Sequence, residues 1–271
     1  MQLKTIRYEA EDRVATITLD RPHRLNAWTG RMHSEYRWVL QQAQDDSDVR
    51  VVVVTGEGRG FCAGADAAAL EGHAARGGYD PGTPDDLAAP GYGVDRPLDH
   101  DFAFHFGLRT PVIAAINGPA AGVGLVLACY ADIRFAVAGA KLTTAHGRLN
   151  LPAEYGLSWL LPRIIGLGRA NDLLLTSRVV LAEEALDLGL VNAVLPDLQA
   201  LRAHVREYAR SLAHEVAPGS LAATKRQVGL DLHRDLGASV ADAAQRLDVM
   251  TGEPAFAEGV AALTEKRPPR F

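Results

Sequence analysis

Two glycine-bearing turns in the sequence could present backbone N–H groups to a ligand. The first covers residues 61–66 and the second residues 117–124. Each follows an apolar segment that predicts a buried strand and precedes a predicted helix, so the first N–H groups of that helix lack partners within it. One such turn is more often structural than functional. Two that converge on one point would form an oxyanion hole, which stabilises negative charge on a carbonyl oxygen.

The apolar pattern around these turns predicts an α/β fold. Residues 6–9 and 14–19 read as a hairpin, and apolar or aromatic positions recur at helical spacing over 29–44. Further strands are predicted at 51–55, 112–116 and 133–137, with helices at 67–71 and 122–130. This repeated order of strand, turn and helix places both glycine turns at strand ends.

The remaining segments predict a loop and a helical region. Residues 72–101 are rich in Gly, Pro and Asp, which predicts a mobile surface loop that could act as a lid. After residue 181 the pattern is helical, at 182–188, 198–213, 219–230, 236–250 and 254–263. Exposed apolar faces on such helices would suit subunit assembly.

Composition excludes several classes of function. The formal net charge of -5 and the scattered basic residues give no electrostatic footprint for nucleic acid. The uncharged stretch 110–131 is broken by proline and glycine, which argues against a membrane span. With Cys62 and Cys129 as its cysteines and no apolar leader at its start, the chain is expected in the cytoplasm. No metal, nicotinamide or flavin motif is visible, so no metal and no separate cofactor are predicted.

Taken together, these motifs resemble the enoyl-CoA hydratase/isomerase, or crotonase, superfamily. The resemblance runs over nearly the whole chain and rests on Arg21-Pro22 with Asn26-Ala27, residues 61–66 and 117–132, Leu160 with Pro162-Arg163 and Gly166, residues 182–191, and residues 265–267. It implies a spiral of ββα units, here 1–195, which holds an acyl-CoA site. It also implies a C-terminal helical region, here 196–271, that forms a homotrimer or a dimer of trimers.

The resemblance assigns the oxyanion donors. They are the backbone N–H groups of Ala65 and Val123, with Gly64 and Gly122 shaping the turns beside them. An enolate or related anion forms on the thioester oxygen of an acyl-CoA in this superfamily, and the coenzyme A enters as part of the substrate. Because the donors belong to the main chain, a valine at 123 is compatible with the role.

The resemblance also indicates where coenzyme A would lie. Cys62 and Ala63 would follow its adenine and pantetheine through backbone contacts, and Arg24 would lie near its phosphates. An ordinary solvated arginine is the alternative for Arg24. Asp66 directly follows the first donor, where it could act on the ligand or serve as a helix N-cap that holds the turn.

The acid–base residues of a hydratase are missing from their usual places. Hydratases of the superfamily use two glutamates, and the matching positions here are Val126 and His146. Imidazole exchanges protons near neutral pH, so His146 could substitute for one of them. The alternative is a histidine that only lines the pocket.

Glu154 is the stronger candidate. Relatives that isomerise enoyl-CoA place a working Glu or Asp at this spacing ahead of the residue that matches Pro162. A single carboxylate suffices to move a proton from the α carbon of a 3-enoyl thioester to its γ carbon. Burial beside Leu151, Leu157 and Trp159 would raise the pKa of such a base. The alternative is a first-turn acid that favours a helix dipole.

Three functions therefore follow from the sequence. The favoured one is isomerisation of a 3-enoyl-CoA to a 2-enoyl-CoA with Glu154 as the single base. The second is hydration of a 2-enoyl-CoA by Glu154 or His146 with a water molecule. The third is a family member that binds CoA thioesters without catalysis, because a fold alone does not establish activity.

Overall fold

The computed structural model describes residues 2–76, 98 and 100–271. Within these ranges a six-stranded sheet has the order β1-β2-β3-β4-β6-β9, and a three-stranded sheet has the order β5-β7-β8. The strands are β1 Ile6–Glu11, β2 Val14–Leu19, β3 Val51–Gly56, β4 Val112–Ile116, β5 Ala120–Ala121, β6 Ile133–Val137, β7 Lys141–Thr143, β8 Val180–Leu181 and β9 Ala193–Leu195.

Helices and strands are interspersed up to residue 195, and the described chain beyond it contains helices. The helices are α1 Gly30–Asp45, α2 Ala67–Arg76, α3 Val123–Tyr130, α4 Leu157–Ile165, α5 Leu167–Thr176, α6 Ala182–Asp187, α7 Leu198–Glu215, α8 Pro218–Asp231, α9 Leu236–Met250 and α10 Pro254–Glu265. The structure contains the predicted hairpin, the three further predicted strands and the helices predicted before residue 181.

The larger sheet is buried on both faces at its centre. Strands β1 and β2 pair antiparallel, whereas β2, β3, β4, β6 and β9 run parallel. Along β3, Val52 and Val54 face one core cluster and Val51 and Val53 face the other. A strand covered on both faces reads as a continuous apolar run, which is why this one was recognisable in the sequence.

The uncharged segment 110–131 folds as buried strand, turn and helix, as predicted. It supplies β4, β5 and α3, and every residue of α3 is buried. In the described part of the chain, no helix combines the length and the apolar character that a membrane crossing requires.

Helix α7 packs on the core although it lies beyond residue 195. Its residues Leu201, Val205, Ala209 and Ala213 are buried in the cluster that covers the second face of the sheet. The predicted boundary between 1–195 and 196–271 therefore falls ahead of a core helix. Farther along the chain, α9 has no buried residue within the described structure, and its Leu236 side chain is 79% exposed.

The predicted surface loop 72–101 lies mostly outside the described residues. Helix α2 runs to Arg76, so the first part of that range is helical. Residues 77–97 and 99 are not described, and the lid stays a prediction.

Candidate active site

Backbone hydrogen bonds bring the two glycine turns together. The Cys62 N–H donates to the Pro119 carbonyl at 3.1 Å, and the Ala121 N–H donates to the Cys62 carbonyl at 3.0 Å. A Cβ atom on Gly124 would lie 2.1 Å from the Cys62 carbonyl oxygen. Helix α3 can therefore approach the first turn this closely only because residue 124 is glycine.

The tips of the turns meet at Gly64 and Gly122. Both have positive φ, 105° and 49°, a region that glycine enters without a side-chain clash. A Cβ on Gly122 would lie 3.9 Å from the Gly64 Cα, and a Cβ on Gly64 would lie 3.3 Å from the Ala121 carbonyl oxygen. The residues that directly follow these glycines are Ala65 and Val123, so the structure places the two predicted donors beside one another.

Neither predicted donor uses its N–H group within the described structure. Trp28 bridges the first turn through Trp28 N–H to Gly64 O at 2.8 Å and Asp66 N–H to Trp28 O at 2.9 Å, a pattern that skips Ala65. Val123 is the first residue of α3, where an N–H has no intrahelical partner. Two free N–H groups at adjoining tips can stabilise an oxyanion.

Buried asparagines hold the loop behind the first turn. Asn26 Nδ2 donates to Gly60 O at 2.8 Å, and Asn117 Nδ2 donates to Gly56 O at 2.9 Å and to Gly60 O at 3.2 Å. These side chains satisfy carbonyls that would otherwise be buried without partners. The sequence showed both residues as parts of motifs but gave no sign of the carbonyls they bind.

Asp66 adopts the N-cap geometry that was one of its two predicted roles. Its Oδ1 accepts from the Ala68 N–H at 3.0 Å, and its other oxygen pairs with Arg21 at 2.9 Å. Burial acts to raise the pKa of Asp66, but Arg21 and the Ala68 N–H outweigh it, so the pKa lies below the usual range. Asp66 is thus an ionised anchor for the start of α2, and Arg21 is a supporting residue that sequence reasoning missed.

The predicted coenzyme A contacts differ in their accessibility. Arg24 is exposed, and its charge helps to lower the pKa of the Asp66 carboxyl. Ala63 donates to the Leu25 carbonyl at 3.0 Å and is partly exposed. Cys62 is fully buried, its N–H and carbonyl both serve the pairing of the turns, and burial raises the pKa of its thiol to about 12. The structure therefore gives Cys62 a role in joining the turns.

Glu154 lies in a 3₁₀ turn, Glu154–Gly156, that packs against α3. Tyr155 breaks the helical geometry with φ 53°, and α4 begins only at Leu157 with Gly156 as its N-cap. Glu154 is therefore not in the first turn of α4, which argues against the dipole alternative. Within the described residues its carboxylate makes no hydrogen bond or ion pair. Burial raises the pKa of Glu154, against the opposing effect of His146.

His146 lies close enough to Glu154 to affect the pKa of its carboxyl. The Gly122 N–H donates to Thr143 O at 3.0 Å, which places the chain leading to His146 beside the second turn. Ser177 Oγ accepts from the Gly147 N–H at 3.0 Å and from Thr144 Oγ1 at 3.1 Å, so this segment is held rigidly. His146 is 6% exposed and acts electrostatically on Glu154.

The other predicted hydratase position carries no titratable group. Val126 is 1% exposed and packs in the larger core cluster. Nothing at this point of α3 could take or give a proton. The described residues contain no group of three His, Cys, Asp or Glu side chains that could hold a metal ion, and the absence of a cofactor stays a prediction.

Sequence reasoning missed Tyr130, which links α3 to the Glu154 turn. Its hydroxyl donates to the Tyr155 carbonyl at 2.7 Å. The only sequence signal was a hydroxyl at the end of an otherwise apolar helical segment, which gives no indication of its partner.

Comparison with known proteins shows the family of this chain. The family model for enoyl-CoA hydratase/isomerase matches residues 9–271. A probable enoyl-CoA hydratase of Rhodobacter capsulatus is 36% identical, over 100% of this chain and 99% of that protein. The 1,2-epoxyphenylacetyl-CoA isomerase of Escherichia coli is 36% identical, over 96% of this chain and 95% of that protein.

A solved structure confirms the predicted fold. The crystal structure of a probable enoyl-CoA hydratase/isomerase from Mycobacterium abscessus superposes with a TM-score of 0.85 at 33% identity, over 98% of each chain. The predictions of a crotonase fold and of an enzyme of this family are therefore confirmed. The chain belongs to the enoyl-CoA hydratase/isomerase family.

Proposed function

We propose that this enzyme isomerises a 3-enoyl-CoA to a 2-enoyl-CoA. The Glu154 carboxylate removes a proton from the α carbon, and the electrons of that C–H bond form a dienolate. Its negative charge rests on the thioester oxygen, which accepts hydrogen bonds from the Ala65 and Val123 N–H groups. Protonated Glu154 then returns the proton to the γ carbon, and the double bond moves next to the thioester with no net change in composition.

The observation that carries this proposal is that the unpaired Glu154 carboxylate, whose pKa is raised by burial, lies in a turn that packs against α3, the helix that begins at the predicted donor Val123. The base must keep the proton after taking it from the α carbon and before giving it to the γ carbon, so its pKa should lie near the working pH. Partial burial of Glu154 favours the protonated carboxyl and so raises this pKa. Val126 leaves no second carboxylate on α3, as an isomerase with one base requires. The close approach of Gly64 and Gly122 supports the proposal that the N–H groups of the next residues, Ala65 and Val123, act on one oxygen.

Hydration of a 2-enoyl-CoA is the second candidate, and the nearness of His146 to Glu154 favours it. One of the two groups could take a proton from water while the other protonates the α carbon. The Rhodobacter relative carries the name of a hydratase. This reaction needs the same oxyanion hole, so the donors do not distinguish the two functions.

Substrate binding and assembly complete the proposal. Acyl-CoA binding fits the family, and the resemblance supports coenzyme A contacts at Arg24, Ala63 and Gly64. The exposed apolar side chains of α9 and α10, such as Leu247 and Leu263, support assembly as a homotrimer or a dimer of trimers. We propose that it acts in the cytoplasm with no cofactor beyond the coenzyme A of its substrate.

A panel of CoA esters tests the proposal. Wild type, Glu154→Gln and His146→Gln are assayed with 3-enoyl, 2-enoyl and 3-hydroxyacyl esters, while binding is followed by calorimetry. Isomerisation of the 3-enoyl ester that is lost in Glu154→Gln and kept in His146→Gln supports it. Water addition that needs both residues supports the hydratase, and tight binding without turnover of any ester supports a non-catalytic binder.

A further inference from the structure

Tyr130 connects the two halves of the candidate site through one rigid element. Helix α3 begins at Val123, the proposed oxyanion donor, and ends at Tyr130. The Tyr130 hydroxyl donates to the carbonyl of Tyr155, the residue that follows Glu154, at 2.7 Å. A helix of this length spans about 12 Å and bends little, so its two ends keep a fixed separation.

The turn that receives this hydrogen bond is strained. Tyr155 has φ 53° and ψ 32°, and Gly156 has φ 75° and ψ 14°, so two consecutive residues are left-handed. A non-glycine residue in this region is strained and persists only where its surroundings hold it. Tyr130 holds this turn through its hydrogen bond to the Tyr155 carbonyl. Its oxygen also packs closely on the next residue, since a Cβ on Gly156 would lie 3.0 Å from it.

The ring of Tyr130 is fixed independently of its hydroxyl. It stacks on Phe102 with centroids 6.3 Å apart, and it meets Phe106 edge to face at 5.6 Å. Burial, with a contribution from Cys129, raises the pKa of Tyr130 to about 12, so the hydroxyl remains a donor throughout the pH range of an enzyme assay. Removal of the oxygen alone should therefore leave the ring in place and release the turn.

We propose that Tyr130 is a positioning residue whose hydroxyl holds the Tyr155 carbonyl and thereby sets the Glu154 carboxylate relative to the oxyanion donors. The inference rests on the proposed function of Glu154. Tyr130 itself touches no reacting atom. A proton transfer between α and γ carbons from one base requires close control of that base, and a displacement of about 1 Å can cost about 100-fold in rate.

The kinetic test compares Tyr130→Phe with Tyr36→Phe. Tyr36 is fully buried, and its hydroxyl bonds to His105 at 3.1 Å. Tyr36→Phe therefore also removes a buried hydroxyl, but one whose partner is His105 and not the Glu154 turn. We expect Tyr130→Phe to lower kcat about 10- to 100-fold with little change in KM. Tyr36→Phe should keep both constants near wild type. Equal kcat values for the two variants would overturn the proposal.

A second readout does not depend on which ester the enzyme turns over. The pKa of the Glu154 carboxyl is measured by ¹³C NMR of glutamate-labelled protein, with the resonance assigned by its loss in Glu154→Gln. Among the described residues, His146 is the group that acts electrostatically on this carboxyl. If the turn loosens in Tyr130→Phe, Glu154 gains solvent and its pKa falls toward the ordinary value.

The outcomes separate this inference from the proposed function. A wild type that fails to isomerise 3-enoyl esters, or a Glu154→Gln variant that still does, refutes the proposed function, and with it the kinetic consequence expected of Tyr130→Phe. A Glu154 pKa that is the same in wild type and Tyr130→Phe refutes the positioning role, whatever the activity.

Discussion

Replacing Val123 with proline removes one proposed oxyanion donor while retaining a residue that suits the start of a helix. Val123 is the first residue of α3, a position where proline is favoured because its missing N–H breaks no intrahelical bond. The preceding Gly122 has φ 49° and ψ -121°, the mirror image of the extended region, which glycine can adopt ahead of proline. The helix should therefore form, and only the N–H group should be lost.

The loss can be estimated from the role of the group. Removal of one preorganised oxyanion donor costs about 2.7–4 kcal/mol, or about 100- to 1,000-fold in kcat. Because Val123 is 3% exposed, proline also loses some packing, and Val123→Ala controls for this. The alanine variant keeps the N–H and should retain kcat within about 10-fold, with a lower melting temperature.

Steady-state kinetics with the best 3-enoyl or 2-enoyl ester decides the matter. Circular dichroism and thermal melting establish that each variant is folded. A folded Val123→Pro enzyme with the kcat of Val123→Ala would refute the assignment of Val123 as a donor. Because both candidate reactions form an anion on the thioester oxygen, the result does not depend on which of them the enzyme catalyses.

Further predictions follow from other contacts. The pH profile of kcat/KM should fall on its acid side at a pH above the ordinary glutamate pKa, because burial raises the pKa of Glu154 and only the ionised base removes a proton; a limb at or below pH 4 would contradict this. Gly124→Ala should destabilise the fold by about 1–3 kcal/mol or more in urea unfolding, since its Cβ would meet Cys62 O at 2.1 Å. Gly168 lies on α5, and a Cβ added there would have no atom within 4 Å, so Gly168→Ala should instead stabilise the fold by about 0.5–1 kcal/mol. If both substitutions changed the free energy of unfolding in the same direction, the packing argument would be refuted. Burial, with a contribution from Lys225, lowers the pKa of His105 from 6.5 to about 3. Because the unfolded chain binds this proton at a higher pH than the folded chain, the free energy of unfolding should fall by about 2 kcal/mol between pH 6.5 and 5. This fall should be absent in His105→Gln.

The sequence predicted those parts of the fold that local patterns determine. The apolar run of β3 and the helical spacing of α1 are visible because burial on a sheet or along one helix face leaves a period in the residues. Gly64 and Gly122 were expected to shape the two turns, and both have positive φ, which few other residues adopt. The donors Ala65 and Val123 were assigned by the resemblance to the crotonase superfamily, because no local pattern marks a particular N–H group as a donor.

Other features depend on contacts between distant segments. Helix α7 belongs to the predicted C-terminal helical region, and its buried face also completes the core against β3 and β6. The short strand Ala193–Leu195 was missed because it is defined by pairing with β6 and carries little pattern of its own. The Tyr130 to Tyr155 hydrogen bond is likewise invisible in a sequence, since a helix end and a strained turn meet only after folding.

In the proposed mechanism, the N–H groups of Ala65 and Val123 bind the same thioester oxygen. A crystal structure with a saturated acyl-CoA, which can bind but cannot isomerise, would show this contact. We expect a thioester oxygen about 2.7–3.1 Å from both nitrogens, with the α carbon facing the Glu154 carboxylate. A bound thioester whose oxygen contacts neither nitrogen would contradict it.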